Sequence, residues 1–441
     1  MSKAFRPWDV DEVWLFPASV QDFVPPKHIA HFVRETVRDG LDLRAILSAY
    51  DEERGYPPYH PGMMTALLLY AYSQGMYSSR RIARACEERV DFMAVTAQSC
   101  PDFRTVSEFR KRHLKALSGL FVQVLALCRT AGLAKLGHVG LDGTKIKANA
   151  SKHKAMSYAR MRTAEDKLAA EVAQWMEQAA AADAAEDRQH GSDRRGDELP
   201  DWVATKERRL AKIREAKAAL EAEAQAAARV EAEGEDSAGP TTGSGKPRPP
   251  RAVPKDKAQR NFTDPESRIM KTKDGFIQGY NAQAAVDAEH QIIVACDLTN
   301  QGADGPQLLP VVDQIKANTE ALPKQLSADA GYASDANLQG LEERDIDGFV
   351  AAGRQKHGTA APAAGKAKAG SRLAAMAQKI ASQGYDSPYR LRKQTVEPVF
   401  GQIKHARGFR QFLLRGLAQV KCEWAMICTV HNLLKLHKAL A

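Results

Sequence analysis

Three acids stand where apolar stretches can fix them. Asp142 follows His138-Val-Gly-Leu141, Asp329 follows Leu326-Ser-Ala328, and Glu397 lies in Thr395-Val-Glu-Pro-Val-Phe400. Two carboxylates at strand ends and one on a helix can meet in space despite sequence gaps of 187 and 68 residues. Brought together they repel: two unit charges ~4 Å apart cost about 4 kcal/mol at an effective dielectric near 20. A hard divalent cation removes that cost, and an all-oxygen donor set selects Mg2+ or Mn2+. Two such ions, about 3.5–4 Å apart, activate a water or 3′-hydroxyl and stabilise the leaving oxygen of an in-line displacement at phosphorus. With 54 acids in the chain an acidic triple is weak by itself, so the elements that carry it decide its worth.

The first 135 residues read as helical. Pro61 is suited to open a helix whose apolar face is Met63 to Tyr72. Ser78 or Ser79 can cap a second helix that gathers Arg80, Arg81 and Arg84. Thr105-Val-Ser-Glu108 has the form of a capping box, with Arg110, Lys111, Arg112 and His113 in the early turns that follow. This pattern suits a helix-turn-helix docked on DNA, and equally an all-helical dimerisation module.

Beyond residue 135 the period changes. A short strand around Asp142 is followed by two more, 276–287 and 291–299, spaced as an antiparallel hairpin. A strand over Leu326–Ala330, a helix over Ser334–Arg344 and a strand over Asp347–Ala352 complete a mixed α/β layer pattern. Between the first strand and the hairpin lies an insertion, 151–250. It begins with Ala/Glu/Arg/Lys-rich helical sequence, breaks at 191–201 and ends in a Gly/Pro tether, Gly234 to Pro250. Leu168, Val172, Trp175, Met176, Leu210 and Leu220 make a narrow seam, so two helices folded back as a projecting arm are expected. Gln355 to Ser371 reads as a second loop. The Gly-Ser-Gly-Lys at 243–246 is not a phosphate-binding loop: Pro247 replaces Ser/Thr and no strand precedes it.

Charge points to a polyanionic partner. The whole chain carries +9, yet from Arg354 onward sixteen Lys/Arg face three acids, Asp386, Glu397 and Glu423. Six cysteines without a Cys-x2-Cys pair argue against a disulfide framework or a thiolate zinc site. The longest apolar run, Met63 to Tyr72, is shorter than the roughly 20 residues of a membrane span, and the start has no signal-peptide core. A cytoplasmic, nucleoid-associated protein is expected.

The segments GLDGTKIKANASKHKAMSY, QGYNAQAAVD, SADAGYAS and VEPVFGQIKHARGFRQFLLRG, in this order, closely resemble the DDE transposases of bacterial insertion sequences. The stretch from Pro61 to His113 resembles the helical domain that precedes their catalytic core. The resemblance implies a ribonuclease-H-like core binding two Mg2+, a double-stranded DNA substrate, and Asp142, Asp329 and Glu397 as the metal-binding, catalytic triad. It divides the chain into a helical segment 1–135, a core of 136–150 plus 251–441, and the insertion 151–250, with a homodimer or larger assembly as the active form.

Many relatives carry Tyr-x2-Arg-x3-Glu-x6-Lys around the last acid. Glu397 and Lys404 fit that spacing, whereas Lys393 holds the Arg position, Arg390 the Tyr position, and Tyr389 stands one place early. Lys404, two helical turns beyond Glu397, is placed to hold a DNA phosphate near the metals. Lys393, Arg390, Arg392, Arg407, Arg410 and Arg415 read as further phosphate contacts, which carry no base information. Two rivals share these features: a nuclease that hydrolyses without joining, and a DNA-binding protein whose catalytic site has decayed.

Overall fold

The computed structural model describes residues 19–50, 58–190, 201–233, 253–272, 274–353 and 368–440. Among the described residues seven α-helices come first: α1 (Ile29–Glu35), α2 (Arg44–Leu47), α3 (Pro61–Ser73), α4 (Ser79–Glu88), α5 (Val90–Thr96), α6 (Phe103–Arg112) and α7 (Leu114–Thr130). Pro61 does open α3, where its missing N–H has no partner to lose, and the His60 ring accepts from the Gly62 N–H at 3.1 Å. From Met64 to Ser73 every residue of α3 is buried, which makes it the central helix of the group. On α4, Ile82 and Cys86 face inward while Arg80, Arg81 and Arg84 are exposed.

The third expected helix starts earlier than its capping box. Asp102 accepts the Thr105 N–H at 2.7 Å, so α6 opens at Phe103 and its bases fall in the last turn. Arg110 is buried there, donating to the Tyr72 hydroxyl (3.1 Å), the Tyr77 carbonyl (2.8 Å) and the Ser79 hydroxyl (3.1 Å). It ties α3, α4 and α6 together instead of facing a partner.

The sheet then forms from β1 (His138–Lys147), β4 (Arg268–Thr272), β5 (Gly275–Asp287), β6 (Ile293–Thr299), β7 (Gln325–Ala328) and β8 (Asp347–Val350). Its order is β4-β5-β1-β7-β8, and β6 pairs with the remainder of β5. The expected hairpin is β5–β6; β1 pairs β5 antiparallel, while β1–β7 and β7–β8 are parallel. Helices α10 (Leu308–Thr319), α11 (Asp335–Glu342), α12 (Arg372–Gln383), α13 (Leu391–Gly401) and α14 (Leu417–Leu440) cover this mixed α/β core. Asn432 of α14 both accepts from the Ile293 N–H and donates to the Ile293 carbonyl, at 2.9 Å each, as a strand neighbour would. Residues of α3, α7, the central strands and α14 belong to one continuous apolar cluster. Cys86, Cys128, Cys296 and Cys428 are buried within the fold, and all six cysteines are free.

The insertion forms an arm from α8 (Tyr158–His190) and α9 (Asp201–Glu233), rooted on a small sheet of β2 (Ala155–Ser157) and β3 (Gln259–Asn261). Leu168, Leu210 and Leu220 fill its seam with Tyr158, Met161, Ile213 and Ala216, forming a cluster separate from the main core. Met176 is exposed instead. The side chain of Trp175, residues 191–200 of the break, the tether Gly234–Pro250 and most of the loop Gln355–Ser371 lie outside the described residues. Among the described residues, no helix is long and apolar enough to cross a membrane.

Candidate active site

Strand register brings the first two acids side by side. Leu141 of β1 is paired with Ala328 of β7, so Asp142 and Asp329 are the next residues on neighbouring parallel strands, about 4.8 Å apart in the backbone. There β7 ends: Asp329 caps a short turn, accepting the Gly331 N–H at 2.8 Å. Burial, helped by the charges of Asp329 and Asp304, pushes the Asp142 carboxyl up to about 7 against the pull of Arg392.

The third acid comes from α13, which lies directly on β1. A Cβ on Gly140 would meet Val396 at 2.7 Å and Thr395 at 3.4 Å, so only glycine permits this approach. Glu397 follows Val396 and is half exposed. Its link to Asp142 runs through Arg392, whose Nη1 donates to Asp142 Oδ2 at 2.7 Å and whose Nη2 lies 3.5 Å from Glu397 Oε1. Burial opposes the Arg392 charge, but Asp142, Tyr389, Asp329 and Glu397 more than offset it and raise its pKa. Pro398 sits inside α13 rather than opening it. The Gln394 carbonyl, which residue 398 cannot serve without an N–H, accepts from Gln291 Nε2 at 2.9 Å.

Several bases stand elsewhere than phosphate contacts would. Arg392, with a side chain 11% exposed, is committed to the acids. It also interacts with Tyr389, so the Tyr-x2-Arg pair is present one residue early, at Tyr389 and Arg392, and Lys393 does not take the arginine's place. Arg407 lies against the N-terminal helices, 3.3 Å from His431 Nδ1, with burial lowering its pKa. Lys404 is half-buried, donating to the Thr144 hydroxyl and, at 2.9 Å, to the Lys145 carbonyl. Burial and the nearby Lys145 and Arg410 lower its pKa to about 8. Lys393, Arg410 and Arg415 are exposed, and Arg390 is half-buried over the Tyr385 ring, 4.6 Å from its centroid.

Asp304 was not singled out from the sequence. It precedes Gly305 in the loop after β6, as Asp329 precedes Gly331 after β7, and that shared strand–Asp–Gly order was the available signal. The oxygen-only donors, and the burial that raises the Asp142 pKa, suit a hard divalent ion whose charge would offset that burial. Among the described residues, though, no group of three or more His, Cys, Asp or Glu side chains is arranged to hold a metal ion. Here the guanidinium of Arg392 stands between Asp142 and Glu397.

Comparison with known proteins bears on the same elements. The model of the Transposase domain (DUF772) matches residues 18–112, the N-terminal helices through α6, and that of the Transposase DDE domain matches 244–433. Asp329 and Glu397 lie within the second match, while Asp142 lies in neither. No curated protein and no solved structure matches the chain. Two transposase domains in this order, spanning nearly two thirds of the residues, identify the chain as a DDE-type transposase of insertion sequences, an enzyme that cuts and transfers DNA.

Proposed function

We propose that this transposase cleaves element ends and joins them to target DNA by metal-dependent in-line phosphoryl transfer on a ribonuclease-H-like core. The sheet order β6-β5-β1-β7-β8, with only β5 antiparallel to β1 and its neighbours β7 and β8, supports that core. The observation that carries the reading is that Asp142 and Asp329 directly follow the last β1–β7 pair, Leu141 and Ala328, with Asp142 driven up to about 7. Asp142, Asp329 and Glu397 would hold two Mg2+ or Mn2+ ions. When bound, these supply charge neutralisation and activation of a water or 3′-hydroxyl at phosphorus. Arg392 serves as the counter-ion of Asp142 and Glu397, and releases them when that charge is supplied otherwise. Arg410, Arg415, Lys393 and Arg390 hold the duplex backbone, and Lys404 fixes β1 beside Asp142. The substrate is met at the nucleoid in the cytoplasm, and paired ends call for a dimer or larger assembly.

Incubating the purified protein with its element's ends, target plasmid and Mg2+, with products resolved by strand, tests this. Joined products are expected. Hydrolysed ends without joining favour a nuclease, and binding without cleavage favours a decayed site.

A further inference from the structure

A second polar cluster lies on the opposite face of β1. Side chains alternate along a strand, so Gly143 and Lys145 point away from the side of Asp142 and Thr144. Gly143 is paired with Gln283 of β5, and Lys145 with Asn281. Asp304 closes the cluster: its Oδ1 accepts from Lys145 Nζ (3.0 Å), Asn281 Nδ2 (2.6 Å) and Gln283 Nε2 (3.0 Å). The same ammonium lies 3.3 Å from Oδ2. Gln283 in turn accepts from the buried Tyr332 hydroxyl. No side chain fits at residue 143, because a Cβ there would stand 2.5 Å from both Asp304 Oδ1 and Gln283 Nε2. It would also stand 3.0 Å from Asn281 Oδ1, an oxygen with no exposed surface and no hydrogen-bond partner. Asp304 reaches the first cluster too: its Oδ2 and Asp329 Oδ1 crowd one point beside Gly331, at 3.4 and 2.9 Å.

Lys145 has a second exposure. It lines a groove of about 810 Å3 that begins beside Asp142, at Gly143 and Thr144, and is bordered by Lys147, Lys152 and Arg410. Asp274 is the one acid among the described residues that line it. A secluded ion pair is weak grounds for stability, since desolvation offsets the attraction. One that turns its cation into a basic groove, with two amides fixing its anion, is better suited to function. An ammonium has three donors, and among the described residues its two hydrogen bonds both go to Asp304, which leaves a donor for a ligand.

We propose that Lys145 contacts a DNA phosphate next to the scissile one, and that Asp304 is the residue that positions it. The proposal rests on the reading of Asp142 and Asp329 as the catalytic pair. Asp304 keeps a long, mobile side chain aimed along the groove, while Asn281 and Gln283 keep Asp304 in place.

The test uses the full chain and a labelled duplex of an element end, first in EDTA. Lys145→Met is expected to weaken binding and lower the slope of log affinity against log salt by about 0.9, the value for one phosphate no longer neutralised. Lys145→Arg should restore most of that slope. Asp304→Asn adds net positive charge, yet it is expected to weaken binding, and Asp304→Asn with Lys145→Met should be no weaker than Lys145→Met alone. In Mg2+, each single variant should slow single-turnover cleavage by roughly 10²-fold. An unchanged slope in folded Lys145→Met overturns the phosphate contact. Tighter binding by Asp304→Asn, or additive losses in the double variant, overturns the positioning. Should Asp304→Asn fail to fold, Asp304→Glu takes its place, with retained amide contacts but a displaced ammonium and the same expected direction; a normal slope and rate there count against the proposal. Asp142→Asn, run alongside, separates the two readings: full cleavage by that variant sinks the catalytic pair, whereas the EDTA measurements judge Lys145 alone.

Discussion

Arg392 meets Asp142 at 2.7 Å at the sheet edge, and Lys217 meets Glu165 at 2.7 Å on the arm. Both carboxylates expose 17% of the side chain, yet their pKa values move in opposite directions. Burial carries Asp142 up to about 7 in spite of its arginine, while the hydrogen bond from Lys217 holds Glu165 below its ordinary value. The difference is depth. Asp142 lies among β1, β5, β7 and α13, with the charges of Asp329 and Asp304 close by. The arm is two helices thick, so little low-dielectric matter lies behind Glu165, and its ionised form loses less hydration. Surface covered by neighbours does not by itself set the electrostatics; the amount of low-dielectric matter behind them does.

The comparison can be broken most decisively at the sheet. Asp142→Asn, Asp329→Asn or Glu397→Gln should each lower cleavage and joining by roughly 10³-fold or more while DNA binding persists, and double variants should be little worse than singles. Near-normal strand cleavage by any one of them would remove that residue from the site. At pH 9 without divalent ions, Arg392→Gln should then cost up to about 3 kcal/mol in chemical denaturation, because it leaves a deep carboxylate without its cation, and progressively less toward pH 7, where that carboxyl takes a proton instead. A loss below about 1 kcal/mol at pH 9 would mean the pair is as solvated as those of the arm.

These residues also mark what the sequence disclosed. The hairpin, the short strands around it, the two-helix arm and the central helix opened by Pro61 followed from local signals, period and Gly/Pro breaks, whereas the parallel pairing of β1, β7 and β8 did not. Asp142 and Asp329 were visible because each follows a short apolar run, although β1 continues past Asp142 to Lys147 and only β7 ends, just before Asp329. Asp304 was not, because its importance comes from contacts with Lys145, Asn281 and Gln283, which only the β1–β5 register brings together. The roles of Arg392 and Arg407 were likewise hidden. A basic residue facing solvent and one facing acids or a histidine look the same until the packing of α13 and α14 is known.

Depth should govern another carboxylate in the same way. Glu423 on α14 is buried, and although the Leu413 and Leu414 N–H groups favour its charge, burial pushes it up to about 7. The folded chain therefore keeps a proton that the unfolded chain releases near the ordinary glutamate value. Stability from this group is full below about 4.5 and declines as pH rises to about 7, by on the order of 3 kcal/mol. Glu423→Gln should remove that decline, so the variant gains on the parent as pH rises through this window. Parallel unfolding free energies across pH 4 to 8 would contradict the depth argument.

The smallest effect is expected on the arm. Glu165 receives Lys217 at 2.7 Å and Arg214 at 3.1 Å, and Lys206 reaches Glu171 at 2.7 Å, so three ion pairs cross the seam. Each lies at the rim of an apolar strip that already holds the helices together through Leu168, Leu210, Ile213 and Leu220. Solvated pairs of this kind contribute about 0–1 kcal/mol, and salt screens them over roughly 8 Å at physiological strength. Glu165→Gln should accordingly lower protection of α8 and α9 amides against hydrogen exchange by less than about 1 kcal/mol, with the deficit shrinking in high salt. Because the arm's cluster is separate from the main core, amides of β1 and β5 should not change at all. A larger loss, or one that spreads into the sheet, would show that the arm is electrostatically continuous with the catalytic core, and the contrast between Glu165 and Asp142 would then need another cause than depth.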